Sequence, residues 1–187
     1  MEKPEILIEQ INIQFEYLLS LRALFPYMND SLIGESIFRT APYYRNKEFD
    51  VHFNFGRKLA QEDIDRIISI GHWANQNYII RICSLLEANK IIPKENEGKI
   101  DQTIDGWEEV DLVRRLRNQF AHSSGKYDFK EPKEKKLYER IVIHFNVSLA
   151  KASSEATEFP IPIDTVIEPL TESCKKYIKN YFIKKSV

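Results

Sequence analysis

Apolar residues recur at helical spacing in five separate segments of the chain. In the first segment, "PEILIEQINIQFEYLLSLRALF", the apolar stripe lies between Pro4 and Pro26. Apolar residues three and four positions apart form the buried face of an amphipathic helix, and proline is well tolerated only in the first turn of a helix. The pattern therefore predicts a first helix that begins at Pro4 and ends before Pro26.

The other four segments show the same spacing. The segment that begins near residue 61 has a wide apolar arc, which is typical of a central and largely buried helix. The next helix is predicted from near Gly106 to about His122, where "SSG" ends it, and the fourth begins at Pro132. A last helix is predicted from about Thr165. Together the segments predict an all-α fold, an up-down bundle of about five helices.

Residues 26–60 lack such a pattern. The stretch "APYYRNKEFDVHFNFGRKLA" mixes aromatic and charged residues without a sustained period. Breaks of this kind are typical of loops and turns. We predict an irregular insertion of loops and short helical turns here, with no convincing pair of strands.

The composition predicts one domain over residues 1–187. A chain of 187 residues that is 43% hydrophobic can bury one sizeable core. Its 27 basic and 28 acidic residues give a net charge of -1, so the molecule as a whole does not attract nucleic acid. DNA binding is therefore not expected, and any attraction to RNA must come from a local patch.

Cysteine usage and the N-terminus bear on cofactors and location. Cys83 and Cys174 lie far apart in apolar helical patterns, which predicts free buried thiols and neither a disulfide nor a metal site. No cofactor is expected. The N-terminal "MEKPEILIEQ" has acidic residues where a signal peptide is basic, and no apolar run reaches the roughly 20 residues that span a bilayer. We expect a cytoplasmic protein without membrane association.

The helix predicted from Gly106 has two faces. Its apolar arc consists of Val110, Leu112, Val113, Leu116 and Phe120. Asp111, Arg115, Asn118 and His122 form a polar stripe in which Asp111 can pair with Arg115 and Asn118 can bond to the His122 ring. Arg117 lies near the edge of the apolar arc. Arg117 and His122 therefore converge only if the helix end distorts or a second chain supplies the opposing surface.

The polar stripe has two interpretations. Asp111 and Arg115 can be solvated helix charges, with His122 favoured by the helix dipole at the C-terminal end. The alternative is a functional site. The segment "RLRNQFAHSSGKYDF" resembles the signature of the HEPN superfamily, in which an arginine, a polar residue, three further residues and a histidine end a helix. The residues that match are Arg117, Asn118 and His122.

The resemblance implies a fold and a chemistry. It covers about residues 64–145 and implies a small helical bundle. HEPN members include metal-independent endoribonucleases, toxins of toxin–antitoxin pairs and defence proteins. For this chain the resemblance implies a homodimer that cleaves RNA in a toxin, stress or defence context, with an antitoxin or a nucleotidyltransferase as a further partner.

Roles for individual residues follow from that resemblance. His122 would move the proton, Arg117 would hold the phosphate, and Asn118 would orient the imidazole or contact the phosphate. The residues expected to add RNA or phosphate contacts are Arg114, Ser123, Ser124 and Lys126. The last three are equally typical of an ordinary helix stop and loop.

A second resemblance points to a different class of function. The stretch "LRNQFAHSSGKYDFKEPKE" is similar in layout to the corresponding segment of mannitol operon repressor proteins, which are themselves HEPN-like bundles. On that basis the chain would be a non-catalytic regulatory or protein-interaction module. Both functions remain open from the sequence.

Overall fold

The protein is described by a computed structural model that covers residues 2–25, 28–40, 51–94, 97–123, 128, 130–146 and 161–186. Within these ranges five α-helices form the structure. They are α1 (Pro4–Leu24), α2 (Gln61–Ala88), α3 (Trp107–Ser123), α4 (Pro132–Phe145) and α5 (Glu168–Lys185). The predicted all-α helical bundle is confirmed. None of the described helices contains a stretch that is long and apolar enough to cross a membrane.

Prolines mark two of the helix starts. Pro132 is the first residue of α4, and Pro169 lies in the first turn of α5, where its missing N–H removes no helical hydrogen bond. A short π-helical turn, Ile163–Ile167, precedes α5. This wider turn directs Ile163, Val166 and Ile167 into the core, so the chain is helical from two residues before the predicted start.

The region before α2 differs from its prediction. It contains a 3-10 turn at Asp30–Leu32 and two antiparallel strands, β1 (Ile37–Thr40) and β2 (Val51–Asn54). The prediction of an irregular region without a strand pair is wrong for these residues. Each strand has only four residues, too few to show a period in the sequence, and the pairing rests on cross-strand contacts such as the stacked rings of Phe38 and Phe53, 6.4 Å apart.

The chain divides into two compact units. The larger unit comprises Met1–Gln14 and Asn75–Val187, and the smaller unit comprises Phe15–Ala74. The interior of the larger unit is built mainly from residues of α2, α3 and α5, all less than 2% exposed: Ile79, Ile82, Cys83, Leu86, Val110, Leu112, Val113, Leu116, Leu170, Cys174, Tyr177 and Ile178. This interior sets the positions of the polar side chains on α3. The prediction of a single domain over 1–187 stays a prediction.

Buried hydrogen bonds join α2 to the α5 region inside the larger unit. The hydroxyls of Tyr78 and Thr171 are 2.7 Å apart, and Thr171 donates to the carbonyl oxygen of Ile167. Because the Thr171 proton is used in that bond, the Tyr78 hydroxyl is the donor to Thr171. Asn75 Nδ2 donates to the carbonyl of Ile161 at 3.0 Å. These bonds hold the start of α5 against α2.

The smaller unit has an apolar interior that also encloses one cation. Leu18, Leu59 and Ile64 are at most 4% exposed, and Arg22 is 1% exposed. A Cβ at Gly71 on α2 would overlap the guanidinium group of Arg22. A glycine at position 71 therefore makes the space in which this arginine lies.

Candidate functional site

The apolar face of α3 is buried as the sequence predicts. All five residues of its apolar arc are buried, at 4% exposure or less. The helix begins next to α5 because Gly106 takes a φ of +92°, and a Cβ at this position would lie 3.1 Å from the carbonyl oxygen of Ser173. This contact determines which side chains of α3 face α2, α4 and solvent.

Arg117 is anchored to α2. Its Nη2 forms an ion pair with the carboxylate of Glu87, and only 19% of the Arg117 side chain and 12% of the Glu87 side chain are exposed. Burial disfavours the charged guanidinium, but its contacts with Cys83 and Glu87 outweigh that effect and raise the pKa of Arg117 above its ordinary value. The guanidinium is therefore fixed in one direction by the fold of a single protomer.

A thiol completes the surroundings of this arginine. Burial raises the pKa of the Cys83 thiol to about 11, and the adjacent Arg117 guanidinium opposes that rise. The thiol is thus protonated near neutral pH and is a neutral packing partner. Cys83 and Cys174 are both free and buried, as the sequence predicts.

His122 lies in a different environment. It is exposed in the last turn of α3. Asn118, one turn earlier, directs its Oδ1 into the protein, where this atom is buried without a hydrogen-bond partner among the described residues. The expected hydrogen bond between Asn118 and the His122 ring is therefore not formed by that oxygen, because the oxygen points inward while the imidazole is in solvent.

The structure does not bring Arg117 and His122 together within one protomer. Five residues on a straight α-helix correspond to about 140° of rotation and about 7.5 Å of rise. Arg117 accordingly faces Glu87 on α2, whereas His122 is at the exposed helix end. Any site that uses both side chains needs a second surface.

Several predicted phosphate contacts lie at the edge of the described chain. Ser123 is the last residue of α3, and its side chain is outside the described atoms. Ser124 and Lys126 lie outside the described residues. Arg114 is described, but it lies about 12 Å along the helix from His122. It donates to the carbonyl of Gly98 and to Asp111, both at 3.3 Å.

Arg114 belongs to a cluster centred on Asp111. The carboxylate of Asp111, of which 9% is exposed, accepts hydrogen bonds from Arg115 at 2.7 Å, from Arg140 of α4 at 2.6 Å and from Arg114. Burial alone would raise the pKa of Asp111, but the bonds from Arg140 and Arg115 outweigh it and hold this pKa below its ordinary value. The predicted Asp111–Arg115 pair is confirmed, although Asp111 is buried and not a solvated surface charge.

The Asp111 cluster forms one wall of an open cleft, here called the arginine cleft, with a volume of about 540 Å³. Its principal lining residues are Lys99, Trp107, Asp111, Arg114, Arg115 and Arg140. Sequence reasoning missed Arg140 of this cleft and also Glu87 beside Arg117. Each lies about 30 positions from its partner in the sequence, so helical spacing carries no signal for either pairing.

Comparisons with other proteins complete the description. No group of three or more histidine, cysteine, aspartate or glutamate side chains placed to hold a metal ion is present in the described ranges. Comparison of the chain with protein-family models, with curated proteins and with solved structures finds no match in any of the three.

Proposed function

We propose that the chain is a metal-independent endoribonuclease of the HEPN type that acts as a homodimer. The observation that carries the proposal is the contrast at the end of α3, where His122 is exposed while Arg117 is held by Glu87. An accessible imidazole can exchange protons with a substrate. A guanidinium held in one orientation stabilises developing phosphate charge without first having to reorganise.

The chemistry uses the nucleophile that RNA already contains. His122 removes the proton from a ribose 2′-hydroxyl, whose oxygen attacks the adjacent phosphorus. The bond from phosphorus to O2′ forms, the bond to O5′ breaks, and the leaving O5′ takes up a proton. Arg117 neutralises the additional negative charge on the phosphate oxygens. The products are a 2′,3′-cyclic phosphate and a 5′-hydroxyl.

The separation of the two side chains supports a dimer. Arg117 and His122 diverge around α3, so one protomer does not direct both at the same phosphate. A two-fold axis near the ends of two α3 helices doubles each group and allows convergence across the interface. The buried Nε of Arg117 and Oδ1 of Asn118 both lack a partner among the described residues. Such atoms are rare in folded proteins, and they are concentrated here at the motif.

The test is cleavage of a mixed single-stranded RNA pool in the presence of EDTA. Parent protein should give 2′,3′-cyclic phosphate ends, and His122→Ala should lose the activity. Arg117→Lys keeps a cation beside Glu87 but loses the planar fork, so it should also be strongly impaired. His52→Ala, which removes an exposed histidine of β2, should cleave like the parent. Equal cleavage by parent and His122→Ala would exclude this mechanism.

The second candidate is a non-catalytic regulatory or protein-interaction module, similar in layout to mannitol operon repressors. The ion pair of Arg117 with Glu87 favours it, because a guanidinium already paired inside the protomer has a structural role without any substrate. In this case the parent and all three variants would be equally inactive in the RNA assay, while self-association, measured by sedimentation, would persist.

A further inference from the structure

The charge in the arginine cleft is not balanced. Its lining residues include four cations, Lys99, Arg114, Arg115 and Arg140, and two anions, Asp111 and Glu108. The chain as a whole has a net charge of -1, so this excess of positive charge is local. A concave surface with one sign of charge concentrates counter-ions of the opposite sign. The cleft is therefore suited to an anion.

The guanidinium groups are held in place and still have donors to spare. A guanidinium has five N–H donors, and Arg115 uses only its Nε–H, which bonds to Asp111 at 2.7 Å. Both terminal amino groups of Arg115 have no hydrogen-bond partner in the described part of the chain, and 57% of this side chain is exposed. Two adjacent N–H groups in one plane match two oxygens of a phosphate.

Asp111 acts as the organiser of the cleft. Its single negative charge cannot neutralise three guanidinium groups, but its two oxygens hold all three in one place. Arg140 also donates to the carbonyl of Glu108 at 3.4 Å, and Arg114 to that of Gly98. The positions of the cations are thus set before any ligand arrives, which lowers the entropy cost of binding.

The cleft also has an apolar part. Trp107, the first residue of α3, and Ile100 line it beside the charged groups. Its volume of about 540 Å³ lies within the range of roughly 300–1,000 Å³ that small-molecule sites occupy. An indole ring next to fixed cations suits a ligand with a planar or apolar body and an anionic end.

We propose that the arginine cleft binds a phosphorylated small molecule, with its phosphate on Arg115 and Arg140 and its organic part against Trp107. The site does not include Arg117 or His122, and its occupation does not require that the protein cleave RNA. It would give the bundle a sensor for a phosphorylated metabolite at the junction of α3 and α4.

The test is a nuclear magnetic resonance titration of the indole N–H signals, of which the chain has two, from Trp73 and Trp107. Trp107→Phe assigns the second signal. Phenyl phosphate and inorganic phosphate are the probes. Phenyl phosphate should shift the Trp107 signal saturably and bind more tightly than inorganic phosphate. Arg115→Gln should weaken binding by at least about tenfold, as expected when a charge-assisted bidentate contact is lost.

Two variants and one further probe make the outcomes distinct. Lys135→Gln removes one positive charge from the same helix as Arg140, outside the cleft lining, and should bind like the parent. His122→Ala should also bind phenyl phosphate like the parent, whatever the RNA assay shows. The proposal is overturned if phenyl phosphate gives no saturable shift, or if Arg115→Gln and parent bind it equally. It is also overturned if only a short single-stranded RNA binds in an Arg115-dependent manner, because the cleft would then hold a nucleic-acid backbone.

Discussion

Arg117 of α3 and Glu87 of α2 form an ion pair that is largely removed from solvent, although 30 positions separate them in the sequence. The pair links the helix that carries the candidate motif to the central helix of the larger unit. The same guanidinium that is proposed to meet a phosphate therefore also contributes to the stability of the protomer.

The first prediction concerns this ion pair. Arg117→Leu leaves the mostly buried Glu87 carboxylate without its cation, and we expect the free energy of unfolding to fall by about 2 kcal/mol. The double variant Arg117→Leu/Glu87→Leu removes both charges and should regain at least half of that loss. Urea unfolding followed by circular dichroism measures both values. Additive effects of the two single substitutions would show that the pair is not coupled.

The second prediction concerns His122, which is exposed and makes no contact in the described structure that stabilises the fold. His122→Ala should change the free energy of unfolding by less than about 0.5 kcal/mol. The measurement is the same urea titration at neutral pH. The result matters for the RNA assay, because loss of cleavage in a fully stable variant is a chemical effect. A large loss of stability would assign His122 a structural role instead.

The third prediction is a dependence of stability on pH that arises from Asp111. The pKa of its carboxyl is lowered in the folded state, so the folded protein binds this proton less readily than the unfolded chain does. The stability that Asp111 contributes is therefore complete above the unfolded value of about 3.9 and is lost as the pH falls below it. Parent should exceed Asp111→Asn by about 2 kcal/mol at pH 7, and the difference should shrink below about pH 4.

Arg140→Gln is the control for this assignment. It removes a guanidinium that holds the pKa of Asp111 down, so the pH dependence of stability should become less steep between pH 6 and pH 3. An unchanged slope in Arg140→Gln would place the origin of the effect in other carboxylates.

The fourth prediction concerns Gly71 in the smaller unit. Glycine to alanine in the middle of a helix ordinarily stabilises a protein by up to about 1 kcal/mol. Here the added methyl group would overlap the guanidinium of Arg22, which is 1% exposed and has little room to move. Gly71→Ala should therefore destabilise the protein by more than about 1 kcal/mol in thermal unfolding.

The double variant Gly71→Ala/Arg22→Met removes the overlap and shows whether it is the cause. The penalty of the added methyl group should be smaller in the Arg22→Met background than in the parent. A Gly71→Ala variant that is more stable than the parent would contradict the packing of Arg22 against this glycine.

Helical periodicity predicted much of the fold, and short-range spacing predicted one contact of the site. The apolar arc of α3 is buried as expected, and Asp111 pairs with Arg115, four residues away. Both depend on geometry within one helix, which 3.6 residues per turn largely determine. The strand pair of Phe38 and Phe53 was missed, because four-residue strands leave no readable period.

The sequence by itself therefore determined the helical fold class, the buried face of each main helix and the presence of an Arg–Asn–His motif at a helix end. Only the tertiary structure decided that Arg117 faces Glu87 while His122 faces solvent, and that Arg140 joins Arg114 and Arg115 around Asp111. The physical reason is that spacing within a helix is set by local backbone geometry. Partners on different helices are set by how whole elements pack, and that information is spread over the entire apolar core.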